Sequence, residues 1–351
     1  MKNEDEKEEL KFERGIDIIN RVRNEPEPNF IWYGIPEGSK GIITGAPKTG
    51  KTTLAENLAL SISVGKKELL GFPLEGIAKK VLYINLEESY KLYGRRNSKQ
   101  LSQLSKKELK LYKENYFCAP NDFPEFLITD EDWVMLRDCI KASKAEVVII
   151  DSLTHMFEGE IERSSVAKKF IEKFRTALKD LDVTTIVVHH NTKGNDGPIT
   201  QDNIAGSRVI LQEFEFALGL ANIPTSMGGN YFCMLYNKHI EKDDTTATVY
   251  KLNQDGWVEK IGVDNKFNLY KDKNDGRTNT LNCDLIYDFV KSQTSQTSQI
   301  ISTKELNVEF VQNDTMSRDT LHKSLKKLEN EGKIIKAAHG NYQLKEGGHD
   351  E

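Results

Sequence analysis

The central part of the chain alternates between short apolar runs and longer amphipathic stretches. Runs rich in β-branched residues predict four buried strands: Gly41–Thr44, Lys80–Leu86, Glu146–Asp151 and Val183–His189. Apolar residues recur between them at helical spacing, which predicts three helices: Thr52–Val64, Glu131–Lys144 and Ser165–Leu181. Strand–helix–strand alternation at this spacing indicates an α/β fold, in which helices cover both faces of a parallel sheet.

Beyond Gly206 the spacing shortens, and turn residues separate four further apolar runs. These runs predict antiparallel strands that extend the sheet: Phe214–Leu220, Tyr231–Asn237, Thr246–Leu252 and Trp257–Ile261. The pattern therefore predicts a charged N-terminal arm over residues 1–24, a core domain over 25–262 and a polar linker over 263–280.

The last part of the chain has a pattern of its own. Helical periodicity and capping residues predict three helices, Leu281–Lys291, Thr303–Val311 and Arg318–Glu331. Two short strands follow, Lys333–Ala337 and Tyr342–Leu344, around a turn at Gly340. Three helices and a β-ribbon are typical of a winged helix. We expect this small domain to span residues 281–345, with a tail over 346–351.

Composition limits the classes of function. The 351 residues carry a formal net charge of −5, so any contact with nucleic acid must come from a local basic patch. No apolar run approaches about 18 residues, and the charged N-terminus does not resemble a signal peptide, so we expect no membrane contact. The four cysteines are far apart and predict neither a zinc site nor a disulfide framework, as in a cytoplasmic protein.

A basic patch does occur in the small C-terminal domain. Residues 316–345 hold seven basic and three acidic side chains, a local net charge of +4. The candidate DNA contacts among them are Arg318, Lys323, Lys326, Lys327 and Lys336. A winged helix with this charge binds duplex DNA or, alternatively, docks onto a protein, and a solvated helix face would carry lysines too.

One stretch of the core predicts a phosphate site. The sequence Gly45-Ala46-Pro47-Lys48-Thr49-Gly50-Lys51-Thr52 matches the P-loop pattern, and it lies between a predicted strand and a predicted helix. Its backbone N–H groups and the helix N-terminus can surround phosphate oxygens. We expect Lys51 to reach the terminal phosphates of ATP, Thr52 to bind Mg²⁺, and the neighbouring Thr53 to complete the site.

Polar residues at three other strand ends extend this site. Asp151 ends an apolar strand and is predicted to bind Mg²⁺ with Thr52, because ligands of α/β sheets sit beyond the carboxyl ends of the strands. Glu87, or its neighbour Glu88, can orient and deprotonate the attacking water. His189 and His190 end the fourth strand, where a polar group can sense the terminal phosphate. A structural role for either histidine is the alternative.

In this order, the motifs resemble those of RecA-type ATPases, and most closely those of plasmid RepA-like hexameric replicative helicases. The matching positions are Gly45–Thr52, Glu87, Asp151-Ser152 and His189-His190 with Lys193. The resemblance implies a RecA-like ATPase domain that binds ATP and Mg²⁺ at the interfaces of a homo-oligomer such as a hexamer. It also implies that the loop Asn191–Asn203, with Lys193, faces single-stranded DNA.

The resemblance further implies an arginine or lysine finger from the neighbouring subunit. The aligned position falls near Glu215, which leaves Arg208 and Lys238 as candidates. Three functions stay open: a helicase of replication or of a mobile element, an ATP-gated oligomeric DNA-binding switch without unwinding activity, and a circadian-type or other RecA-like signalling ATPase without nucleic acid.

Overall fold

The computed structural model describes residues 12–25, 29–191, 197–204, 212–224, 229–241, 243–270, 283, 285–293, 300–312, 318–338 and 340–344. These residues form two compact units, divided between Phe267 and Asn268. Each unit has its own buried apolar core. Within the described ranges, no helix is long and apolar enough to cross a membrane.

The first unit contains thirteen described strands. In chain order they are β1 (Phe30–Trp32), β2 (Ile35–Pro36), β3 (Lys40–Gly45), β4 (Glu68–Leu69), β5 (Phe72–Pro73), β6 (Val81–Asn85), β7 (Tyr116–Cys118), β8 (Val147–Asp151), β9 (Thr184–His190), β10 (Phe216–Asn222), β11 (Asn230–Asn237), β12 (Thr246–Leu252) and β13 (Val258–Asn265). Nine of them form one sheet in the order β13-β12-β11-β10-β3-β9-β8-β6-β7. β13 runs into the segment predicted as a linker, and Asn268–Tyr270 form a 3-10 turn.

The sheet is mixed, and its parallel part is larger than the sequence predicts. β6, β7, β8, β9 and β3 are parallel to one another, whereas β11, β12 and β13 are antiparallel, as expected. The prediction was wrong for β10, which is parallel to β3 on one side and antiparallel to β11 on the other. Its Phe216 lies opposite Gly41, where a Cβ atom would come within 2.4 Å of the Phe216 ring.

The structure describes six helices in the first unit. They are α1 (Gly15–Asn24), α2 (Lys51–Ser63), α3 (Tyr90–Leu101), α4 (Lys106–Asn115), α5 (Asp130–Ser143) and α6 (Ser164–Leu178). Most residues of α2 are buried, and it contacts several strands of the sheet. Val148 and Ile149 of β8 point to opposite faces of the sheet and are both fully buried, so helices cover both faces.

The second unit combines helices with a small antiparallel sheet. Its helices are residues 285–293, Thr303–Asn307 followed by a π-helical turn at Val308–Gln312, and Arg318–Asn330. Its strands are β14 (Ile301–Ser302), β15 (Ile334–Ala338) and β16 (Asn341–Leu344), in the order β14-β16-β15. Leu321, Leu325 and Leu328 pack into its core, as their helical spacing predicts.

Candidate nucleotide-binding site

The P-loop connects the end of β3 to the start of α2. Gly45 is the last residue of β3, and a Cβ atom there would lie 2.3 Å from the Leu220 carbonyl oxygen. Gly50 caps α2 with a φ of +81°, a left-handed conformation that favours glycine. The sequence predicts both glycines. In the structure, close packing requires a glycine at position 45, and a left-handed backbone conformation favours one at position 50.

Hydrogen bonds from neighbouring strands hold the loop. Asn230 Nδ2 donates to the Thr49 carbonyl oxygen at 2.8 Å, and the Asn191 N–H donates to the Gly45 carbonyl oxygen at 3.1 Å. The Thr49 hydroxyl closes the loop on the Ala46 carbonyl oxygen at 2.8 Å. Ala46, Pro47 and Lys48 form the exposed tip, so the loop is fixed at its base and open to solvent at its top.

Lys51 is the buried cation of the loop. Its side chain is inside the protein, and its Nζ atom donates to the Ala46 carbonyl oxygen at 2.9 Å. Burial lowers the pKa of Lys51 to about 8, although the carboxylates of Asp151 and Glu87 act in the opposite direction. An anion in the loop would favour the charged form of this amine and raise its pKa.

Asp151 and Thr52 form the candidate metal site. Asp151 ends β8 and is 2% exposed. Burial raises the pKa of its carboxyl, and hydrogen bonds from the hydroxyls of Thr52 and Tyr83 oppose this shift. Tyr83 Oη donates to Oδ2 at 3.2 Å, whereas Oδ1 has no hydrogen-bond partner of good geometry among the described residues. A buried carboxylate oxygen without a donor, beside a threonine hydroxyl, fits a Mg²⁺ ion.

The two adjacent glutamates after β6 point to different partners. Glu87 is 3.4 Å from His190, measured between Oε2 and Nε2, and its side chain is 44% exposed. Glu88 instead accepts two hydrogen bonds from Arg96. The side chain of Glu87 is therefore the one left available to a water molecule at the edge of the sheet.

The two histidines differ in their surroundings. His189 is buried within β9 and lies opposite Thr44 of β3. His190 lies opposite Gly45 and is partly exposed on the side that meets Glu87. The register also places Asp151 opposite Asn85. The P-loop, Glu87, Asp151 and His190 therefore gather at the carboxyl edge of the parallel strands.

A family model described as "AAA domain" matches residues 6–196, more than half of the chain. The chain belongs to the AAA domain family. Together with the α/β sheet and the P-loop, the match identifies a RecA-type P-loop ATPase. A KaiC-like protein from Pyrococcus horikoshii is similar in structure at 16% identity, with a TM-score of 0.47 over 66% of this chain and 93% of that chain. No curated protein matches the chain.

Other predicted residues lie away from the nucleotide site of this AAA domain protein. Lys238 follows β11 at the amino edge of β3, opposite to the P-loop, and donates to the Gln212 carbonyl oxygen at 2.6 Å. Glu215 accepts from the Lys40 N–H and pairs with His239. Arg208 and Lys193 lie outside the described residues.

In the second unit, Arg318, Lys323, Lys326 and Lys336 are exposed. Lys327 is partly buried and lies 3.9 Å from Glu331, measured between charged atoms. Lys323 and Lys326 are three residues apart on one helix and share its outward face. The structure therefore presents a basic helix face at the position that the sequence predicts for nucleic-acid contact.

Sequence reasoning missed several residues that shape the AAA domain site. Tyr83 holds Asp151, and Asn191 and Asn230 hold the P-loop. Asn191 directly follows the two histidines, so its place at a strand end was the available signal. Nothing in the local pattern around Tyr83 or Asn230 marks either residue, because their contacts join strands that are far apart in sequence.

Proposed function

We propose that this ATPase is a DNA-associated motor, a RepA-like helicase of replication or of a mobile element. The observation that carries the proposal is the gathering of Lys51, Asp151, Glu87 and His190 at one edge of the sheet. A RecA-type ATPase that moves along DNA needs hydrolysis at such an edge and a route from it to the loop that follows β9.

Each residue has a role in the proposed hydrolysis. Lys51 neutralises phosphate charge, and Glu87 orients the attacking water and accepts its proton. Thr52 and Asp151 would hold Mg²⁺, which supplies charge neutralisation on the phosphate oxygens when bound. His190 contacts Glu87 and directly precedes Asn191, so a change at Glu87 reaches the loop after β9 through one side chain.

The second unit supports an association with DNA. Its helices and its three-stranded antiparallel sheet fit a winged helix, in which Arg318–Asn330 is the helix that would enter the major groove. The exposed Lys323 and Lys326 would contact phosphates, and such contacts are independent of DNA sequence. A protein-docking winged helix would not need this basic face.

One observation favours the second candidate, an ATP-gated DNA-binding switch without unwinding activity. The amine of Lys238 binds a carbonyl oxygen of its own chain, and Glu215 is tied to His239 and to the backbone of β3. Among the described residues, the candidate Lys238 therefore does not extend toward a neighbouring subunit as a finger would, and the other candidate, Arg208, lies outside them. A switch tolerates the slow hydrolysis that follows when no finger completes the site.

The rate of ATP hydrolysis with and without single-stranded DNA tests the proposal, with Lys51→Ala and Glu87→Gln as controls. Strong stimulation by single strands that both variants lose supports the motor. Slow hydrolysis that is indifferent to single strands overturns the helicase and leaves the switch. Gel filtration with and without ATP measures the proposed homo-oligomer.

The role of the second unit is tested by the salt dependence of duplex-DNA affinity. A Lys323→Glu, Lys326→Glu variant should weaken binding to all sequences and reduce the slope of log K against log salt by about 0.9 for each lost phosphate contact. Lys107→Glu, Lys110→Glu on α4 is the matched control, because it makes the same charge change at the same helical spacing on exposed lysines. Equal losses in both variants would contradict a specific basic face.

A further inference from the structure

One guanidinium in the first unit binds two carboxylates from different elements. Arg96 on α3 donates to Glu56 on α2 through Nε and Nη2, both at 2.6 Å. It also donates to Glu88 through Nη1 at 3.1 Å and through Nη2 at 2.5 Å. The planar fork of an arginine can serve two carboxylates in this way, whereas a lysine amine is a single point charge.

The two carboxylates belong to the two halves of the nucleotide site. Glu56 is four residues after Thr52 on α2, one helical turn beyond the P-loop, and its side chain is completely buried. Glu88 directly follows Glu87. Arg96 therefore connects the helix that begins at the P-loop to the turn that carries the proposed catalytic glutamate.

Other contacts fix the backbone of this turn but leave its side chains undetermined. Asn85 accepts from the N–H groups of Glu87 and Glu88 and donates to the Glu88 carbonyl oxygen at 2.9 Å. Ser89 caps α3 by accepting from the Leu92 N–H. Among the described contacts, those from Arg96 are the ones that hold the Glu88 carboxylate.

The contacts of Arg96 therefore direct the chemically equivalent carboxylates of Glu87 and Glu88 to different partners. The charge of Glu88 is directed toward Arg96, and Glu87 lies beside His190 at the sheet edge. Without Arg96, the Glu88 carboxylate would lose the described hydrogen bonds that direct it away from Glu87. It would then compete with Glu87 for the same position, and the buried Glu56 would lose its partner.

We propose that Arg96 is a positioning residue of ATP hydrolysis, which binds Glu56 and Glu88 together and thereby leaves Glu87 as the one carboxylate presented to water. This role rests on the proposed function of Glu87. The described hydrogen bonds of the Arg96 guanidinium go to Glu56 and Glu88, so its loss should act through these carboxylates and change the turnover rate more than the affinity for nucleotide.

The experiment uses the full chain and removes the contacts of Arg96 with Glu56 and Glu88 without leaving a buried charge unpaired. Arg96→Gln alone isolates Glu56 and can unfold the protein, so Arg96→Gln is combined with Glu56→Gln, and Glu56→Gln alone is the reference background. In the double variant, kcat should fall at least tenfold relative to the background, while the Kd for ATP stays within about twofold. Arg163→Gln, which breaks an exposed pair with Glu160, is the control for loss of an arginine.

A conservative substitution separates positioning from structure. With Glu56 replaced by glutamine, a lysine at position 96 has only Glu88 to bind, so Arg96→Lys with Glu56→Gln should recover most of the lost kcat. The positioning role of Arg96 is overturned if the Arg96→Gln, Glu56→Gln variant hydrolyses ATP as fast as Glu56→Gln alone. It is also overturned if the fall in kcat is matched by a loss of ATP binding or of folded protein. Wild-type protein that binds ATP without hydrolysing it overturns the proposed function as well.

Discussion

His190 Nε2 lies 3.4 Å from Glu87 Oε2, although β8 separates the two strands that carry these residues to the edge of the sheet. The contact passes over the end of β8, where Asp151 is located. The glutamate proposed to activate water and the candidate metal ligand thus meet at the ends of three parallel strands, with Asp151 as the last residue of β8 and Glu87 in the turn that directly follows β6.

This geometry predicts different outcomes for two neighbouring substitutions. Glu87→Gln should lower kcat by about 10² to 10⁴, because the amide cannot accept the proton of the attacking water, while the Kd for ATP changes little. Glu88→Gln keeps an oxygen that accepts from Arg96 and should cost less than about tenfold. Steady-state hydrolysis and nucleotide binding measure both effects. A larger loss for Glu88→Gln would exchange the roles of the two residues.

Tyr83→Phe should destabilise the fold at the candidate metal site. Tyr83 is buried and donates to Asp151 Oδ2, so its loss leaves a buried carboxylate oxygen without that donor. An unsatisfied buried group of this kind costs about 1–3 kcal/mol in the free energy of unfolding, which urea denaturation at pH 7 measures.

Tyr112→Phe provides the comparison for this substitution. It removes a hydroxyl from the same aromatic cluster, in which the rings of Tyr112 and Tyr116 are 4.9 Å apart, without touching Asp151. Its effect should stay within about 0.5 kcal/mol, as for most substitutions away from buried polar contacts. Equal losses for both variants would show that the hydrogen bond to Asp151 adds nothing specific to the effect of removing the Tyr83 hydroxyl.

Two glycine substitutions separate steric from helical effects. Gly45→Ala places a methyl group 2.3 Å from the Leu220 carbonyl oxygen, so the P-loop must move, and ATP affinity and stability should both fall. Gly94 lies within α3 with no atom within 4 Å of its hypothetical Cβ, so Gly94→Ala should stabilise by up to about 1 kcal/mol. Thermal unfolding and nucleotide titration of both variants test this contrast. Unchanged ATP binding in Gly45→Ala would contradict the close packing of β3 and β10.

The sequence predicts the parts of the fold that depend on local pattern. Buried parallel strands read as continuous apolar runs, and strand ends supply the residues of the site, so the positions of Asp151 and Glu87 at one sheet edge follow from connectivity alone. The direction of β10 does not follow, because a short strand with an apolar pattern reads the same whether its neighbour is parallel or antiparallel.

Other features escape the pattern for different physical reasons. α4 has no buried residues, and the buried residues of α3 are the polar Asn97 and Gln100, so neither helix shows an apolar stripe. The capping serines Ser89 and Ser105 were the signals that remained. The hydrogen bonds between Arg96 and Glu56 join residues 40 positions apart, and no local spacing encodes them.

The buried carboxyl of Glu56 predicts a pH-dependent stability. Burial raises the pKa of Glu56 to about 6 from an ordinary value of 4.5, because its desolvation outweighs the attraction of Arg96, which Glu88 shares. Between these two values the folded protein binds more protons than the unfolded chain. The Glu56 contribution to the free energy of unfolding is therefore largest below about pH 4.5 and is lost as the pH rises through 6.

Glu56→Gln should remove this dependence. The difference in unfolding free energy between wild type and variant, measured by urea denaturation from pH 4.5 to pH 7, should shift against the wild type by on the order of 2 kcal/mol, as a pKa change of about 1.5 predicts. Other titrating carboxyls are common to both proteins and cancel in the difference. If the difference in unfolding free energy instead grows in favour of the wild type as the pH rises, Arg96 lowers the pKa of Glu56. The ion pair between Arg96 and Glu56 would then stabilise the folded protein at neutral pH.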